Sequence, residues 1–200
     1  MTITYTTKDG VYINLTNRCS NSCGFCIRNN SDGVYGSGSL WLEREPEARE
    51  VIEDLKKYDL SVYGEVVFCG YGEPTERLDT LLEVAAFVKG NYKIPVRINT
   101  NGHGSLINGY DITPRLKGLV DVVSVSLNTA NAKDYVKLCK PEFGEEAYDG
   151  LIDFARKCVP CVKTVVLSVV DTTLSAEDVE TCRKIAEDVG AVLKIRPFEN

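Results

Sequence analysis

Apolar runs and helical patterns alternate along most of this chain, and this alternation constrains the fold more than any other feature of the sequence. Short runs typical of strands predict strands at residues 11–16, 65–69, 96–99, 122–127, 164–170 and 191–196. Apolar residues at helical spacing predict helices near residues 46–58, 75–90, 113–119, 131–138, 145–157 and 175–190. Pro46 is predicted as the first residue of the first helix and Thr75 as the cap of the second. Ser175 and Asp178 resemble a capping box for the last helix, which Gly190 is predicted to end. Strands that alternate with helices form parallel sheets joined by right-handed crossovers.

The side chains within the predicted strands indicate a curved sheet around a lumen. In the fourth strand, Val123 and Val125 alternate with Ser124 and Ser126. In the last strand, Val192 and Ile195 alternate less cleanly with Lys194 and Arg196. A parallel sheet covered by helices on both faces has nearly continuous apolar strands. A polar face is costly in a packed interior unless water or a ligand satisfies it. A flat doubly wound sheet, or edge strands with one solvated face, are the alternatives.

The predicted fold is therefore α/β: a partial (β/α)6 TIM-like barrel of parallel strands with an N-terminal β-hairpin. The hairpin is predicted from alternating residues at 3–7 and 11–16 around the turn Lys8-Asp9-Gly10. Glycines among Ser, Asn and Asp predict an irregular loop at 30–39. Six strand–helix units are too few for a complete eight-stranded barrel of about 250 residues. One domain is expected over residues 1–200.

The composition is typical of one soluble domain. The chain has 200 residues, of which 44% are hydrophobic, so it can bury a real core. Its net charge of -6 and scattered basic residues do not support a nucleic-acid partner. Residues 1–10 lack an export signal and no stretch reaches the length of a membrane span, so a cytoplasmic location without a membrane partner is predicted. Eight cysteines in a cytosolic chain indicate metal or redox chemistry.

Three cysteines, Cys19, Cys23 and Cys26, follow the second predicted strand at C-x3-C-x2-C spacing. Three thiolates from one loop can hold three irons of a 4Fe-4S cluster and leave the fourth iron open to a small molecule. The alternative is a structural zinc site with Cys69 or His103 as its fourth ligand, because zinc prefers four closed ligands.

A second cluster is a further hypothesis for the remaining cysteines. Cys158 and Cys161 could hold part of it, with Cys69, Cys139 or Cys182 as additional ligands. Cys158 and Cys182 fall on the apolar faces of predicted helices, however, where a free cysteine behaves as a small hydrophobe. Burial without metal is therefore favoured.

Four motifs together resemble the radical S-adenosylmethionine (radical SAM) superfamily. They are the three-cysteine loop with Phe25 before its last cysteine, the run Phe68-Cys69-Gly70-Tyr71-Gly72-Glu73-Pro74, the run Thr100-Asn101-Gly102, and the run Val125-Ser126-Leu127-Asn128. More narrowly, the runs Thr16-Asn17-Arg18-Cys19, Cys26-Ile27-Arg28-Asn29 and Thr100-Asn101-Gly102-His103-Gly104 resemble the TatD-associated radical SAM proteins. The resemblance extends from Val11 to Arg196.

The resemblance implies two cofactors, a 4Fe-4S cluster and S-adenosylmethionine. In such enzymes the amino and carboxylate groups of the methionine part chelate the open iron. An electron from the reduced cluster then breaks a carbon–sulfur bond and yields a 5'-deoxyadenosyl radical, which abstracts hydrogen from a substrate. The cofactor carries the difficult chemistry, and the protein supplies position, potential and exclusion of water.

The resemblance also implies which residues hold these groups. The cluster ligands would be Cys19, Cys23 and Cys26. The S-adenosylmethionine contacts would be Phe25 at the adenine, Gly70, Tyr71, Gly72 and Glu73 at the methionine ammonium, and Asn99, Ser126, Asn128 and Arg196 on later strands. Two departures from the common pattern are Tyr71 inside the glycine element and the lack of an acidic ribose ligand at Asn99.

Several charged or titratable residues lie near these motifs. His103, the only histidine, is expected at the mouth of the lumen, either touching substrate or solvated on its loop. Arg18 and Arg28 flank the cysteine loop, where they either offset an anionic cluster or are surface charges. Lys194 and Arg196 end the last strand, where a cation meets the cofactor carboxylate or an anionic substrate.

The predicted function is reductive cleavage of S-adenosylmethionine followed by hydrogen abstraction from an unidentified small molecule, peptide or partner protein. A flavodoxin or ferredoxin is the expected electron donor. One alternative is an activase that abstracts hydrogen from a glycine of a partner protein. Another, of a different class, is a non-catalytic iron–sulfur or zinc binding module. The open side of a partial barrel is expected to be closed by substrate, a partner or a second copy.

Overall fold

The computed structural model describes residues 1–170 and 174–197. Its first two strands, β1 (Thr4–Thr6) and β2 (Gly10–Ile13), form the predicted antiparallel hairpin, with Thr6 opposite Val11. Strand β2 ends three residues before the predicted 11–16 limit. The chain continues through buried Leu15 and Thr16 without strand pairing and carries the cysteine loop away from the sheet.

The other strands form one sheet with this hairpin. They are β3 (Glu65–Phe68), β4 (Val96–Thr100), β5 (Val122–Ser126), β6 (Thr164–Val170) and β7 (Val192–Arg196). Each is parallel to its neighbours, and the strand order follows the chain from β1 to β7 without reversal. A doubly wound sheet reverses its order at a switch point. The sequential order instead confirms the predicted partial barrel with an N-terminal hairpin.

The helices follow the strands as predicted, with local differences. They are α1 (Ala48–Leu55), α2 (Leu78–Asn91), α3 (Gly104–Asn108), α4 (Thr113–Leu116), α5 (Ala132–Cys139), α6 (Glu146–Cys158) and α7 (Ala176–Val189). Helix α3 was not predicted. Helix α1 begins after Pro46, with Glu47 rather than proline at its start, and α2 continues past Gly90. No helix among the described residues is long and apolar enough to cross a membrane.

Two sequence signals for α7 are confirmed. Ser175 and Asp178 form a reciprocal capping box at its start, and Gly190 ends the helix at a φ of 83°. A positive φ suits glycine because it has no Cβ. Residues 30–39 form an irregular loop without helix or strand, also as predicted.

The two faces of the sheet differ in polarity. Val123 and Val125 of β5 are fully buried in the hydrophobic core beneath the helices, whereas Ser124 and Ser126 lie on the opposite face and are only partly buried. The alternation therefore separates a core face from a lumen face.

Strand β7 corrects one expectation about this alternation. Val192 was grouped with Ile195 against Lys194 and Arg196, but it shares strand parity with the two basic residues. Partly buried Leu193 is the residue that packs against the core. Val192 and Ile195 are 60% and 44% exposed, as expected for the last strand of an open sheet.

Asp121 ties three elements together at the amino ends of the strands. Its carboxylate accepts hydrogen bonds from Lys89 of α2 and from the backbone N–H of Val96, and it pairs with Lys163 before β6. Burial would raise its pKa, but the bonds from Lys163, Lys89 and Val96 together lower it to about 2. The ionised carboxylate therefore stabilises this end of the sheet.

Candidate active site

A cavity of about 290 Å³ opens at the carboxyl ends of the strands, where parallel barrels build their sites. Every predicted ligand residue lines it: Cys19, Cys23, Phe25, Cys26, Gly70, Tyr71, Gly72, Glu73, Asn99, Ser126, Asn128 and Arg196. The sequence prediction missed other lining residues, namely Asn21, Ile27, Cys69, Thr100, Asn101, Val170 and Pro197. Of these, Asn21, Ile27, Cys69, Thr100 and Asn101 lie inside the recognised motifs, a position that could have marked them.

The cysteine loop is fastened to its neighbours on both sides. Asn17 exchanges hydrogen bonds with the backbone of Leu42, at 2.8 and 3.0 Å. On the other side, the backbone N–H of Ser22 donates to the carbonyl of Cys139 at the end of α5, at 2.9 Å. The loop is therefore held at the cavity by the chain segment before α1 and by the last residue of α5.

Burial affects the thiol of Cys19 most directly. It raises the pKa of Cys19 to about 12, and the nearby charge of Glu73 adds to the effect. The Cys23 thiol donates to the carbonyl of Cys139 at 3.7 Å. Iron ligation would replace these thiol protons, because the thiolate is the form that binds metal.

The glycines of the predicted cofactor element are required by packing against β2 and the cysteine loop. A Cβ on Gly70 would lie 2.0 Å from the side-chain oxygen of Asn14, and one on Gly72 would lie 2.3 Å from the carbonyl of Thr16. Other parts of the protein thus already occupy the space that these glycines were expected to leave for a ligand. Gly72 brings the segment that follows β3 directly onto the start of the cysteine loop.

Tyr71, the departure within this element, faces both the cavity and a small aromatic cluster. Its ring lies edge-on to Trp41 at a centroid distance of 5.2 Å, and its hydroxyl donates to the carbonyl of Ser31. The side chain is 4% exposed. Tyr71 therefore connects the irregular loop at 30–39 to the cavity wall.

Glu73 is held by four hydrogen bonds. One carboxylate oxygen accepts from the backbone and hydroxyl of Thr75 and from the hydroxyl of Thr100, and the other accepts from the backbone N–H of Asn101 at 2.7 Å. Burial raises its pKa. Glu73, not the predicted Thr75, caps the 3-10 turn that precedes α2. Its second oxygen retains acceptor capacity toward the cavity.

Two buried amide oxygens in the cavity wall have no hydrogen-bond partner within the described part of the chain. They belong to Asn21 and Asn128, each 4% exposed. Asn128 adopts a positive φ of 61° and its amide donates to the sulfur of Cys139 at 3.5 Å. Because buried acceptors normally find a donor, this wall fits a ligand that offers N–H or O–H groups.

His103 does not lie at the mouth of the lumen, contrary to the prediction. Its side chain is fully buried, with Nδ1 3.0 Å from the Ser20 hydroxyl and Nε2 3.2 Å from the Tyr135 hydroxyl. Burial lowers its pKa to about 4, which keeps the imidazole neutral. Both ring nitrogens are engaged by hydroxyls, so neither faces substrate, and His103 does not complete a zinc site.

The basic residues beside the cysteine loop differ in role. Arg18 turns outward and pairs with Glu45 at 2.7 Å and Glu76 at 3.0 Å, so it is a surface charge. Arg28 donates to the carbonyls of Asn17 and Tyr71. Its charge opposes the rise in the pKa of Cys19 that burial causes, so it lies close enough to the cysteine loop to act on it electrostatically.

Two of the other cysteines lie in the hydrophobic core. Cys158 and Cys182 are fully buried there, on α6 and α7. Across residues 1–170 and 174–197, no group of three or more His, Cys, Asp or Glu side chains, Cys19, Cys23 and Cys26 included, is already drawn together as a metal-ion site. Cys158 and Cys182 pack as small hydrophobic residues, and the second cluster stays a hypothesis.

Comparison with known families decides which kind of protein this is. A sequence model of the radical SAM superfamily matches residues 13–185. The chain belongs to the radical SAM superfamily. Comparison with curated protein sequences found no match.

Solved structures of radical SAM proteins share the fold. SuiB of Streptococcus suis, bound to its precursor peptide SuiA, is 18% identical with a TM-score of 0.69, over 94% of this chain and 39% of SuiB. A radical SAM methyltransferase of Sphaerobacter thermophilus is 15% identical with a TM-score of 0.61, over 97% and 68% of the two chains. HydG, a maturase of FeFe hydrogenase, is 14% identical with a TM-score of 0.65, over 96% and 42%. The chain thus spans about two fifths of the length of SuiB.

Membership of the superfamily implies an enzyme of radical chemistry that uses S-adenosylmethionine and an iron–sulfur cluster. The residues present fit both groups. Three thiols from one loop line the cavity together with an acidic residue, and two unpartnered amide oxygens in its wall suit the hydroxyl and amino groups of a nucleoside and an amino acid. The individual ligand assignments stay predictions.

Proposed function

We propose that Cys19, Cys23 and Cys26 hold a 4Fe-4S cluster and that the chain cleaves S-adenosylmethionine reductively to start hydrogen abstraction from a substrate. The observation that carries the proposal is the convergence of these cysteines, the glycine element and the strand-end amides on one cavity in a radical SAM fold. When bound, the cluster and S-adenosylmethionine supply the electron transfer and the 5'-deoxyadenosyl radical.

The chain's own residues would bind and orient the cofactor. Glu73 would accept a hydrogen bond from the methionine ammonium with the free capacity of its second oxygen, while its other bonds prevent it from rotating. Asn128 would accept from a ribose hydroxyl through its unpartnered oxygen. Phe25 would cover the adenine. Arg196, on the far side of the cavity, would meet a carboxylate of the cofactor or of an anionic substrate.

The substrate would enter the cavity at the carboxyl ends of the strands. Among the described residues, strand β7 pairs only with β6, and Val192 and Ile195 are exposed there. We favour a peptide or protein substrate over a small molecule because the similar SuiB structure contains a precursor peptide. An activase acting on a partner's glycine is one form of this proposal, and a flavodoxin or ferredoxin would supply the electron.

The narrower kinship with TatD-associated radical SAM proteins and the cytoplasmic location remain predictions. Neither changes the chemistry proposed for the cavity. The same holds for the extent of the domain over residues 1–200.

Anaerobic reconstitution tests the proposal. Wild-type protein is expected to bind about four irons and four sulfides per chain and, with a strong reductant, to release 5'-deoxyadenosine from S-adenosylmethionine. Cys23→Ala should abolish the product. Cys161→Ala, outside the cavity, is the matched control and should leave both iron count and product unchanged.

The possible failures point to different conclusions. A cluster without 5'-deoxyadenosine would reduce the chain to a non-catalytic iron–sulfur module. A colourless protein that holds only zinc after reconstitution would overturn the proposal entirely. A lower iron count in Cys161→Ala would revive the second cluster.

A further inference from the structure

A buried chain of hydrogen bonds runs behind the cysteine loop and ends at a cysteine sulfur. The side-chain nitrogen of Asn101 lies 3.8 Å from the sulfur of Cys19 and 2.9 Å from the hydroxyl of Ser20. Ser20 contacts Nδ1 of His103 at 3.0 Å, and Nε2 of His103 contacts the hydroxyl of Tyr135 at 3.2 Å. Three of these residues are at most 1% exposed: Ser20, His103 and Tyr135.

The orientation of the Asn101 amide is determined by its neighbours. Its oxygen accepts a hydrogen bond from the backbone N–H of His103 at 2.9 Å. Its nitrogen must then face the opposite way, with one hydrogen toward Ser20 and the other toward Cys19. An amide has two donors on nitrogen, so both contacts can be made at once. The amide therefore presents an N–H, not an oxygen, to the cysteine sulfur.

The rest of the chain continues through neutral His103. The Ser20 oxygen accepts from Asn101 and contacts Nδ1 of His103. A neutral imidazole donates with one ring nitrogen and accepts with the other, and Nε2 contacts the Tyr135 hydroxyl, which itself accepts from the Asn21 amide. Each member fixes the next, so Ser20 and His103 keep the amide of Asn101 from turning.

Asn101 also connects Glu73 with the cysteine loop, the two elements of the cavity that are predicted to bind the cofactors. Its backbone N–H donates to Glu73 at 2.7 Å, while its side chain reaches Cys19. The loop itself is already anchored elsewhere, through Asn17 and Leu42. The Asn101 side chain is thus not needed merely to fasten the loop, and its distinctive contact is the one with sulfur.

We infer that Asn101 is a positioning residue whose amide N–H donates to the Cys19 thiolate and raises the reduction potential of the bound cluster. This inference rests on the proposed function. An N–H directed at a ligand sulfur stabilises negative charge, and the reduced cluster carries one more negative charge than the oxidised one, so reduction becomes easier. Ser20 and His103 act through Asn101 by holding its amide in place.

The test is an equilibrium redox titration of the reconstituted protein, followed by the electron paramagnetic resonance signal of the reduced cluster. In Asn101→Ala, the ratio of reduced to oxidised cluster at a fixed solution potential should fall about tenfold, a shift of about 59 mV for one electron. Asn108→Ala is the matched control, because that amide also donates two hydrogen bonds, to the carbonyls of Thr75 and Gly104, but contacts no cysteine. Its titration should coincide with wild type.

The outcomes separate this inference from the proposed function. Wild-type protein that binds no cluster defeats both. A wild-type cluster with a change below about twofold in Asn101→Ala, or an equal change in Asn108→Ala, overturns the inference alone. If Asn101→Ala fails to hold a cluster, Ser20→Ala decides: a fall of about threefold in the same ratio supports the role of the anchored amide, and an unchanged titration refutes it.

Discussion

Glu73→Gln probes both the architecture and the chemistry of the cavity. Glutamine can keep one carbonyl oxygen against Thr75 and Thr100, but its NH₂ group then faces the backbone N–H of Asn101, which now donates to a carboxylate oxygen at 2.7 Å. The variant therefore loses one charge-assisted hydrogen bond and places two donors against each other.

The magnitude follows from the type of bond lost. A hydrogen bond to a charged group contributes roughly 1.5 to 3 kcal/mol. Removing a buried charge relieves some desolvation, so the expected loss of unfolding free energy is about 1 to 3 kcal/mol. With a urea m-value of about 2 kcal/mol/M, the unfolding midpoint should fall by roughly 0.5 to 1.5 M. A lost contact with the methionine ammonium should weaken S-adenosylmethionine binding about 10- to 100-fold.

Two assays separate these effects: urea unfolding and equilibrium binding of S-adenosylmethionine to the reconstituted protein. Thr75→Val is the control, since it removes one hydroxyl donor to Glu73 and keeps the carboxylate charge. It should cost about 1 kcal/mol and leave the affinity unchanged. An unaltered affinity in Glu73→Gln refutes the ammonium contact, and an unaltered midpoint refutes the hydrogen-bond account.

Two further predictions concern stability. Gly72→Ala should lower the unfolding free energy by about 1 to 3 kcal/mol, because the added Cβ would lie 2.3 Å from the carbonyl of Thr16. The control Gly24→Ala, whose Cβ would have nothing within 4 Å, should stay within about 0.5 kcal/mol of wild type in the same urea unfolding measurements. Equal unfolding curves for the two variants would show that the segment around Gly72 moves to accept the Cβ. The pKa of Asp121 is about 2 in the folded protein and about 3.9 in the unfolded chain. The ionised carboxylate should therefore contribute about 1 to 2 kcal/mol to the unfolding free energy above pH 4, and this contribution should be lost as the pH falls toward 2. Asp121→Asn should flatten urea-measured stability over this window, and an unchanged pH slope would contradict its pairing with two lysines.

The errors in the sequence prediction have physical causes. Thr75 was expected to cap α2 because threonine is a common cap, but its hydroxyl donates to Glu73, and Glu73 caps the 3-10 turn in which Thr75 lies. His103 was expected to be exposed because glycines flank it, yet those glycines let the loop pack closely, with Gly102 at a φ of 84° beside Leu151. Helix α3 has five residues and begins with glycine, too short a segment for periodicity to reveal.

The sequence by itself determined the strand–helix order, the polar lumen face and the cysteine spacing, because each depends on residues that lie close together in the chain. Only the tertiary structure decided the hydrogen bonds of Glu73, the burial of His103 and the direction of the Asn101 amide. Ser20 and His103 are 83 positions apart, and Asn101 and Cys19 are 82 apart. Such contacts form only when the folded sheet brings the ends of different strands together, so no local sequence pattern could encode them.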